Sequence, residues 1–426
     1  MNQNKVKVFI GLREIAGYFS SLKAGFDEIG IESAFLNLGG NRFNYYAGKN
    51  PKWVSFLNFI GNNIGSKFSG NFIIRFIWLI SLQNIFSVIA FFIAIFKYDV
   101  FIFGSNSTFF YFLDLPLLKL FKKKIIYVFL GSDSRPIYLN GYVYKGSKKP
   151  GLYRRLTKVQ KRVIRIIEKY ADVMINHPPQ AHFHEKSFVS FLDIGFPFKE
   201  IEKIRPAKEN STNKSIKIIH VPSKAGPKGS DKFRDIINRL KEKYPIDYVE
   251  ISGISNEEVH KIITEADFAL DEYYSDTPLS GFATECAFQY KPVVVGSYYA
   301  ASIHEDYPKN ILPPSMFVAP ENIEDTIEKL IVDTGFRNQS AKEIYDFVVQ
   351  NWTATLVARK YLKLIDNTFP KEWLYDPGKI TYLFGCGLSG EEVETNIRFF
   401  VKKGNVRSLC LEDKPQLEKR FLEMVN

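Results

Sequence analysis

The chain is poor in cysteine and histidine, with three of one and six of the other in 426 residues. Cys286, Cys386 and Cys410 are odd in number and none are paired at short spacing, so neither a disulfide framework nor a structural zinc site is supported. That usage fits a reducing cytosol. An arginine-rich arm, zinc-finger spacing and an RNA-binding aromatic motif are also missing, so nucleic acid is not expected as a partner. The start, Met1-Asn-Gln-Asn-Lys-Val-Lys-Val-Phe-Ile10, lacks the apolar core of a signal peptide and reads as a short tail entering a buried strand. No solenoid repeat is visible.

What the chain does have is the composition of a folded protein: 46% apolar and 24% charged residues. Its length predicts two or three domains. The formal charge is +11, with small basic clusters at Lys122-Lys123-Lys124 and Lys148-Lys149, a balance that favours phosphorylated substrates or anionic headgroups. From Phe76 to Phe96 the chain is almost wholly apolar, a length that could span a bilayer. Gln83 and Asn84 interrupt it, and it runs through Lys97 into a strand, so the expectation is a sheet-covering helix with peripheral membrane contact.

Strands expected at 6–10, 32–37, 99–103, 125–130 and 172–175 alternate with helices at 19–29 and 152–170. This is the rhythm of a parallel, doubly wound α/β sheet. A polar stretch, Arg205 to Lys214, reads as a linker. A second α/β series follows: strands at 216–220, 248–252, 268–270 and 292–295, and helices at 231–242, 256–265 and 282–288. Ser255 and Glu258 form a capping-box pattern. A helix is expected over 352–365. A strand at 380–384, a Gly-rich turn and a helix at 391–401 suggest one more βα unit. The expected division is 1–204, 205–350, and 351–426 as a crossing helix with an extension.

Two segments carry chemistry. In Ile218-Ile-His-Val-Pro-Ser-Lys-Ala-Gly-Pro-Lys-Gly-Ser230 a strand runs into a loop bearing Ser223, Lys224, Lys228 and Gly229, and then a helix. Ligands of α/β sheets bind beyond the carboxyl ends of strands, where two lysines and a helix N-terminus can hold a pyrophosphate. Alone, such a loop reads more readily as a solvated turn, because short Gly/Lys motifs recur by chance. In the second segment Gly281 permits close backbone approach where a helix begins, the amides of Phe282 and Ala283 can face a phosphate, and Glu285 can accept from ribose hydroxyls. The alternative for Glu285 is a helix-dipole contact, worth at most about 1 kcal/mol.

In this order, and with Thr284-Glu-Cys-Ala-Phe-Gln-Tyr-Lys-Pro-Val293 in the second, the segments resemble the donor half of family 4-type glycosyltransferases with the GT-B fold. Tyr98-Asp-Val-Phe-Ile-Phe103, Leu113-Asp-Leu-Pro-Leu-Leu-Lys119 and Val128-Phe-Leu-Gly-Ser-Asp-Ser-Arg135 resemble strands of its acceptor half. The resemblance covers about residues 5–365. It implies two Rossmann-like domains facing a cleft, an acceptor side in 1–204 and a nucleotide-sugar side in 205–350.

By the same resemblance Lys224 and Lys228 bind the donor diphosphate, Glu285 the ribose or sugar, and Gly17 the phosphates from the opposite side. Asp133, Arg135 and Ser132 line the cleft, with Asp133 in the catalytic set. The expected reaction is a retaining, metal-independent transfer from a nucleotide-diphosphate sugar, with no cofactor, to a glycan or lipid-linked acceptor of surface polysaccharide or lipopolysaccharide synthesis. The expected place is the cytoplasmic face of the inner membrane.

The chain departs from the family at Leu130, where a histidine is usual, and at Thr277, where the first of two glutamates is usual, with Asp276 beside it as a substitute. These departures leave room for a catalytically degenerate binding member, and the architecture also suits a two-domain nucleotide-sugar epimerase. His182 and His184 with Glu185 suit a metal site only if they share one face of a strand. His177, His260 and His304 read as structural or solvated, and His220 as packing the lysine loop.

Overall fold

A computed structural model describes residues 6–38, 50–67, 83–144, 150–199 and 215–425. The proposed linker, Lys148-Lys149 and the first part of the 76–96 segment lie outside them.

Two parallel sheets organise the molecule. The first is built on β1 (Val8–Leu12), β2 (Ser33–Asn37), β3 (Val100–Gly104), β4 (Lys124–Val128), β5 (Val173–Asn176) and β6 (Phe188–Ser190). It has the order β6-β5-β4-β3-β1-β2, reversing direction beside β1 as a doubly wound sheet does. These strands are short and apolar because both faces are covered, so alternation gives way to continuous burial. Helix α1 (Tyr18–Glu28) covers one face. On the other side α2 (Lys52–Lys67) lies against α3 (Gln83–Lys97), and α3, α4 (Asp114–Leu120) and α5 (Pro150–Tyr170) share one core with the sheet. Among the described residues no helix is long and apolar enough to cross a membrane.

The second sheet contains β7 (Ile216–His220), β8 (Ile246–Glu250), β9 (Phe268–Leu270), β10 (Val293–Gly296) and β11 (Met316–Val318), ordered β11-β10-β9-β7-β8. Helices α6 (Ser230–Lys241), α7 (Asn256–Glu265), α8 (Gly281–Ala287), α9 (Ile323–Val332) and α10 (Thr334–Asn351) accompany it. The capping box expected at Ser255 and Glu258 forms, its two reciprocal bonds satisfying donors that the first turn leaves free.

The last segment does not stand apart. Helix α11 (Ala354–Asp366) returns to the first half and packs along α1, so closely that a Cβ on Gly25 would lie 2.0 Å from the Ala354 carbonyl oxygen. Strand β12 (Leu374–Tyr375) then pairs antiparallel with β6. Helix α12 (Gly390–Gly404) lies on α5, and α13 (Pro415–Glu423) adds Leu417 and Phe421 to the same core.

One expected strand, 380–384, is absent. Its apolar side chains still turn inward at Ile380 and Tyr382, but the backbone joins no ladder. The chain instead leads into a glycine turn that bonds to both halves. The Cys386 amide donates to the Leu139 carbonyl at 3.1 Å, and the Gly387 amide to the Tyr274 carbonyl at 2.7 Å.

Candidate functional site

The carboxyl ends of the two sheets meet. After β1, Ala16 lies against the start of α8, where a Cβ on Gly281 would be 3.0 Å from the Ala16 Cβ. After β4, Arg135 forks to Asp276, which follows β9, with Nε–Oδ2 2.6 Å and Nη2–Oδ2 2.5 Å. The other Asp276 oxygen accepts from Gln180 at 3.0 Å. After β5, His177 contacts the Tyr307 hydroxyl through Nδ1 at 3.2 Å and the Thr277 hydroxyl through Nε2 at 3.3 Å. Burial, reinforced by Arg135, drives His177 down to about 3, so the ring is neutral at physiological pH. Crevices of this kind at strand ends are where α/β sheets take ligands.

The lysine loop sits in this seam. Lys224 is exposed and lies 3.5 Å from the Tyr142 carbonyl of the opposite half. Ser223 is exposed beside it. Gly229 has φ 71°, and a Cβ there would fall 2.3 Å from that of Tyr273, so the bend into α6 needs glycine. His220 packs the loop with both ring nitrogens engaged: Nδ1 with the Leu270 carbonyl at 2.9 Å and Nε2 with the Ser230 hydroxyl at 2.7 Å.

Lys228 differs from its expected role. It is buried and committed to two carboxylates of its own chain, Asp271 at 2.5 Å and Glu272 at 3.0 Å. Burial opposes ionisation of Glu272, but Lys228 and a 2.5 Å bond from the Tyr142 hydroxyl overcome it and hold the carboxyl at about 2. Burial lifts Asp271, which also accepts from Ser280 at 2.5 Å just before α8. Asp271 therefore ties the lysine loop to the start of the Glu285 helix. Its position and that of Glu272, directly after β9, were the available signals for this pair in the sequence.

On α8, Gly281 and Phe282 are half-buried and Ala283 is buried. Glu285 is 6% exposed, and its Oε1 accepts from Asn256 at 2.7 Å. Burial raises its carboxyl to about 8. Asn256 in turn contacts His260 at 3.2 Å, and His260 contacts Gln289 at 2.9 Å, so the carboxyl stands at the head of a polar chain.

In the first half, Gly17 caps α1 with φ 78°. The α1 amides nearest it are already in use: Glu14 accepts from Phe19 at 3.2 Å and Ser20 at 2.8 Å. Burial lifts the Glu14 carboxyl to about 7 against those bonds. Asp133 is buried and accepts from the amides of Leu130 at 3.0 Å and Ser105 at 3.2 Å, fastening the loops after β4 and β3 together. Burial raises it to about 6. Ser132 is exposed at the rim.

His182 and His184 lie on a turn rather than a strand. His182 contacts the Tyr382 carbonyl, and His184 contacts Glu168 and Asn176. Among the described residues no cluster suited to a metal ion occurs. A hollow of about 550 Å³ opens between the halves beyond β6, bordered by Asp193, Glu305, Tyr307, Trp373 and Tyr375.

No protein-family model matches the chain, and neither does any curated protein. Among solved structures the chain is similar to Anabaena HepE in complex with UDP-glucose, at 9% identity and a TM-score of 0.48, over 85% of this chain and 99% of that one. It is also similar to CalG4, the calicheamicin glycosyltransferase, at 10% identity and a TM-score of 0.40, over 87% and 100%. The glycosyltransferase SnogD from Streptomyces nogalater follows at 10% identity and a TM-score of 0.39, over 84% and 98%.

Proposed function

We propose that the chain is a glycosyltransferase that takes a nucleotide-diphosphate sugar in the seam between its two sheets and transfers the sugar to a glycan or lipid-linked acceptor. The observation that carries this reading is the opposition of two parallel sheets, carboxyl ends inward, with Arg135–Asp276 and Lys228–Asp271–Glu272 buried where they meet. Buried ionisable groups in a cleft are costly as structure and mark sites of charge handling. The motif resemblance supplies the substrate class.

In this reading the donor diphosphate lies between Lys224 and the first turn of α8, and Glu285 receives the ribose hydroxyls. Lys228 acts one step back: it holds Asp271, and through it Ser280 and the α8 start, in register. The anomeric C–O bond to the diphosphate breaks with its charge stabilised by fixed donors and no metal; the acceptor hydroxyl bonds to that carbon on the face the leaving group vacates, and its proton passes to the departing phosphate oxygen. Asp133 and Arg135 shape the acceptor side, and the hollow beyond β6 offers rings and carboxylates to sugar hydroxyls. Work on surface polysaccharide at the cytoplasmic membrane face belongs to the same reading.

Incubation with uridine, guanosine and adenosine diphosphate sugars tests it. Release of nucleoside diphosphate, stimulated by an acceptor glycan, is expected. A free epimer without nucleotide release, or binding without turnover across the panel, would overturn it.

A further inference from the structure

The helical layer over the outer face of the first sheet has the wrong exterior for water. Helix α3 buries Ala90, Phe91, Ala94 and Ile95 against the sheet, yet its outward side carries Ile85, Val88, Ile89, Phe92 and Phe96, with Phe96 72% exposed. A helix apolar on every side is normally covered on every side. The neighbouring α4 repeats the pattern. Leu115 and Leu118 are buried, Leu113 and Leu120 are each 74% exposed, and the Phe121 ring meets that of Phe96 at 6.0 Å. On α5 the outward Leu152, Leu156 and Val159 continue the face. The crossovers that place α3, α4 and α5 all move the same way across the sheet, so right-handed connection puts them in one layer.

The charge that these helices themselves expose has one sign; Lys119 meets Asp172, and Lys161 and Arg165 meet Asp413. Helices α3, α4 and α5 contain two carboxylates, Asp114 and Glu168, and both are buried. Lys97, Lys122, Arg155, Lys158 and Arg162 are exposed around the apolar side chains, and among the described residues none has a carboxylate partner. At the start of α5 a cavity of about 600 Å³ is bordered by Leu152, Arg154, Arg155 and Lys158. Apolar patches of this extent mark contact surfaces. A second protein chain would bring carboxylates at chosen points. Unpaired cations beside an apolar field match instead a surface that is anionic throughout, with hydrocarbon below it.

We infer that the outer face of α3, α4 and α5 is a docking surface for an anionic phospholipid bilayer, with the apolar side chains entering the headgroup boundary and the rim cations on lipid phosphates. The inference rests on the membrane-face reading proposed above, and vesicle flotation, which uses neither donor nor acceptor, can fail without touching the transfer chemistry. The full chain is floated with vesicles of phosphatidylcholine alone and with added phosphatidylglycerol, at low and high salt. Two variants accompany it, Phe92→Ser with Phe96→Ser, and Lys122→Gln with Arg155→Gln. All four positions are exposed, and thermal melting verifies the fold.

Binding to the phosphatidylglycerol vesicles is expected, weakened by salt. The charge variant should bind about 25-fold more weakly, at roughly fivefold per basic residue. The Phe92/Phe96 variant should lose salt-resistant binding. No flotation of the folded wild type would overturn the inference, and so would flotation that neither variant alters. A solution dimer that Phe92→Ser with Phe96→Ser dissociates, without vesicle binding, would assign the face to a second copy instead.

Discussion

Glu285 offers a perturbation whose two effects have opposite signs. Its carboxyl is buried and raised to about 8, against 4.5 for an unperturbed glutamate. A raised folded-state value means that stability is fully present below the unfolded value and is lost as pH rises toward the folded one. Between pH 5 and pH 8 the unfolded chain is largely without this proton, while the folded chain keeps it until pH approaches 8. At about 1.36 kcal/mol per pH unit the wild type should lose about 3 kcal/mol from this residue alone.

Glu285→Gln removes the titration and retains an acceptor for the Asn256 bond. Urea denaturation at the two pH values should therefore show the variant gaining stability on the wild type as pH rises. Donor binding should move the other way. Above about pH 8, where the wild-type carboxyl is ionised, exchanging a charged acceptor of ribose hydroxyls for a neutral one costs on the order of 1 kcal/mol per bond, at least a fivefold loss of nucleotide affinity by calorimetry. Wild-type affinity should itself climb as pH passes about 8, and the variant's should stay level. An unchanged stability difference between pH 5 and pH 8 would refute the burial argument. Wild-type nucleotide affinity in the variant above pH 8 would refute the ribose assignment.

Lys228→Met leaves Asp271 and Glu272 buried without their cation, which should cost about 3–5 kcal/mol in urea denaturation. A variant as stable as the wild type would mean that water replaces the ammonium group, and that the lysine is not the tie between its loop and α8. Transfer activity should persist in excess EDTA, because Lys224 and backbone donors carry the charge. Loss on chelation with recovery in magnesium or manganese would show that a cation has been overlooked.

The α/β rhythm was legible because it is local. The strands at 216–220 and 268–270 and the helix at 256–265 fall where their apolar spacing and caps place them. What sequence could not reveal were partners chosen across the seam. Arg135 finds Asp276, Tyr142 finds Glu272 and His177 finds Thr277, each more than ninety residues away, and no periodicity encodes such pairs. Lys228 was read as an open cation because sequence displays a charge without its counter-charge, although Asp271 and Glu272 end the next strand but one. The run at 380–384 was read as a strand from its apolar residues. Strand formation also needs an edge to pair with, and here the glycine turn that follows carries the chain to Leu139 and Tyr274 instead.

The seam is charged where it could have been apolar, and that choice has a physical meaning. Replacing a buried ion pair by well-packed apolar side chains is often neutral or stabilising, so Arg135–Asp276 does not explain why the halves stay joined. The adhesion comes from the returning segment. Trp352 is fully buried, its ring so close to Gly195 that a Cβ there would be 2.2 Å away. Tyr18 and Tyr361 share a 2.8 Å bond between α1 and α11, and Phe384 stacks on Tyr298 at 4.5 Å. Truncating a fully buried ring such as Trp352 or Tyr361 costs about 3–5 kcal/mol, so a few suffice to bind the second half to the first. The ion pair acts on position. Two guanidinium N–H groups donate to one Asp276 oxygen while Gln180 donates to the other, so Arg135 fixes where the end of β9 lies relative to the end of β4. Adhesion at the returning segment and alignment at the strand ends are thus carried by different residues, and the groups that would meet a substrate are those whose own contribution to stability is small.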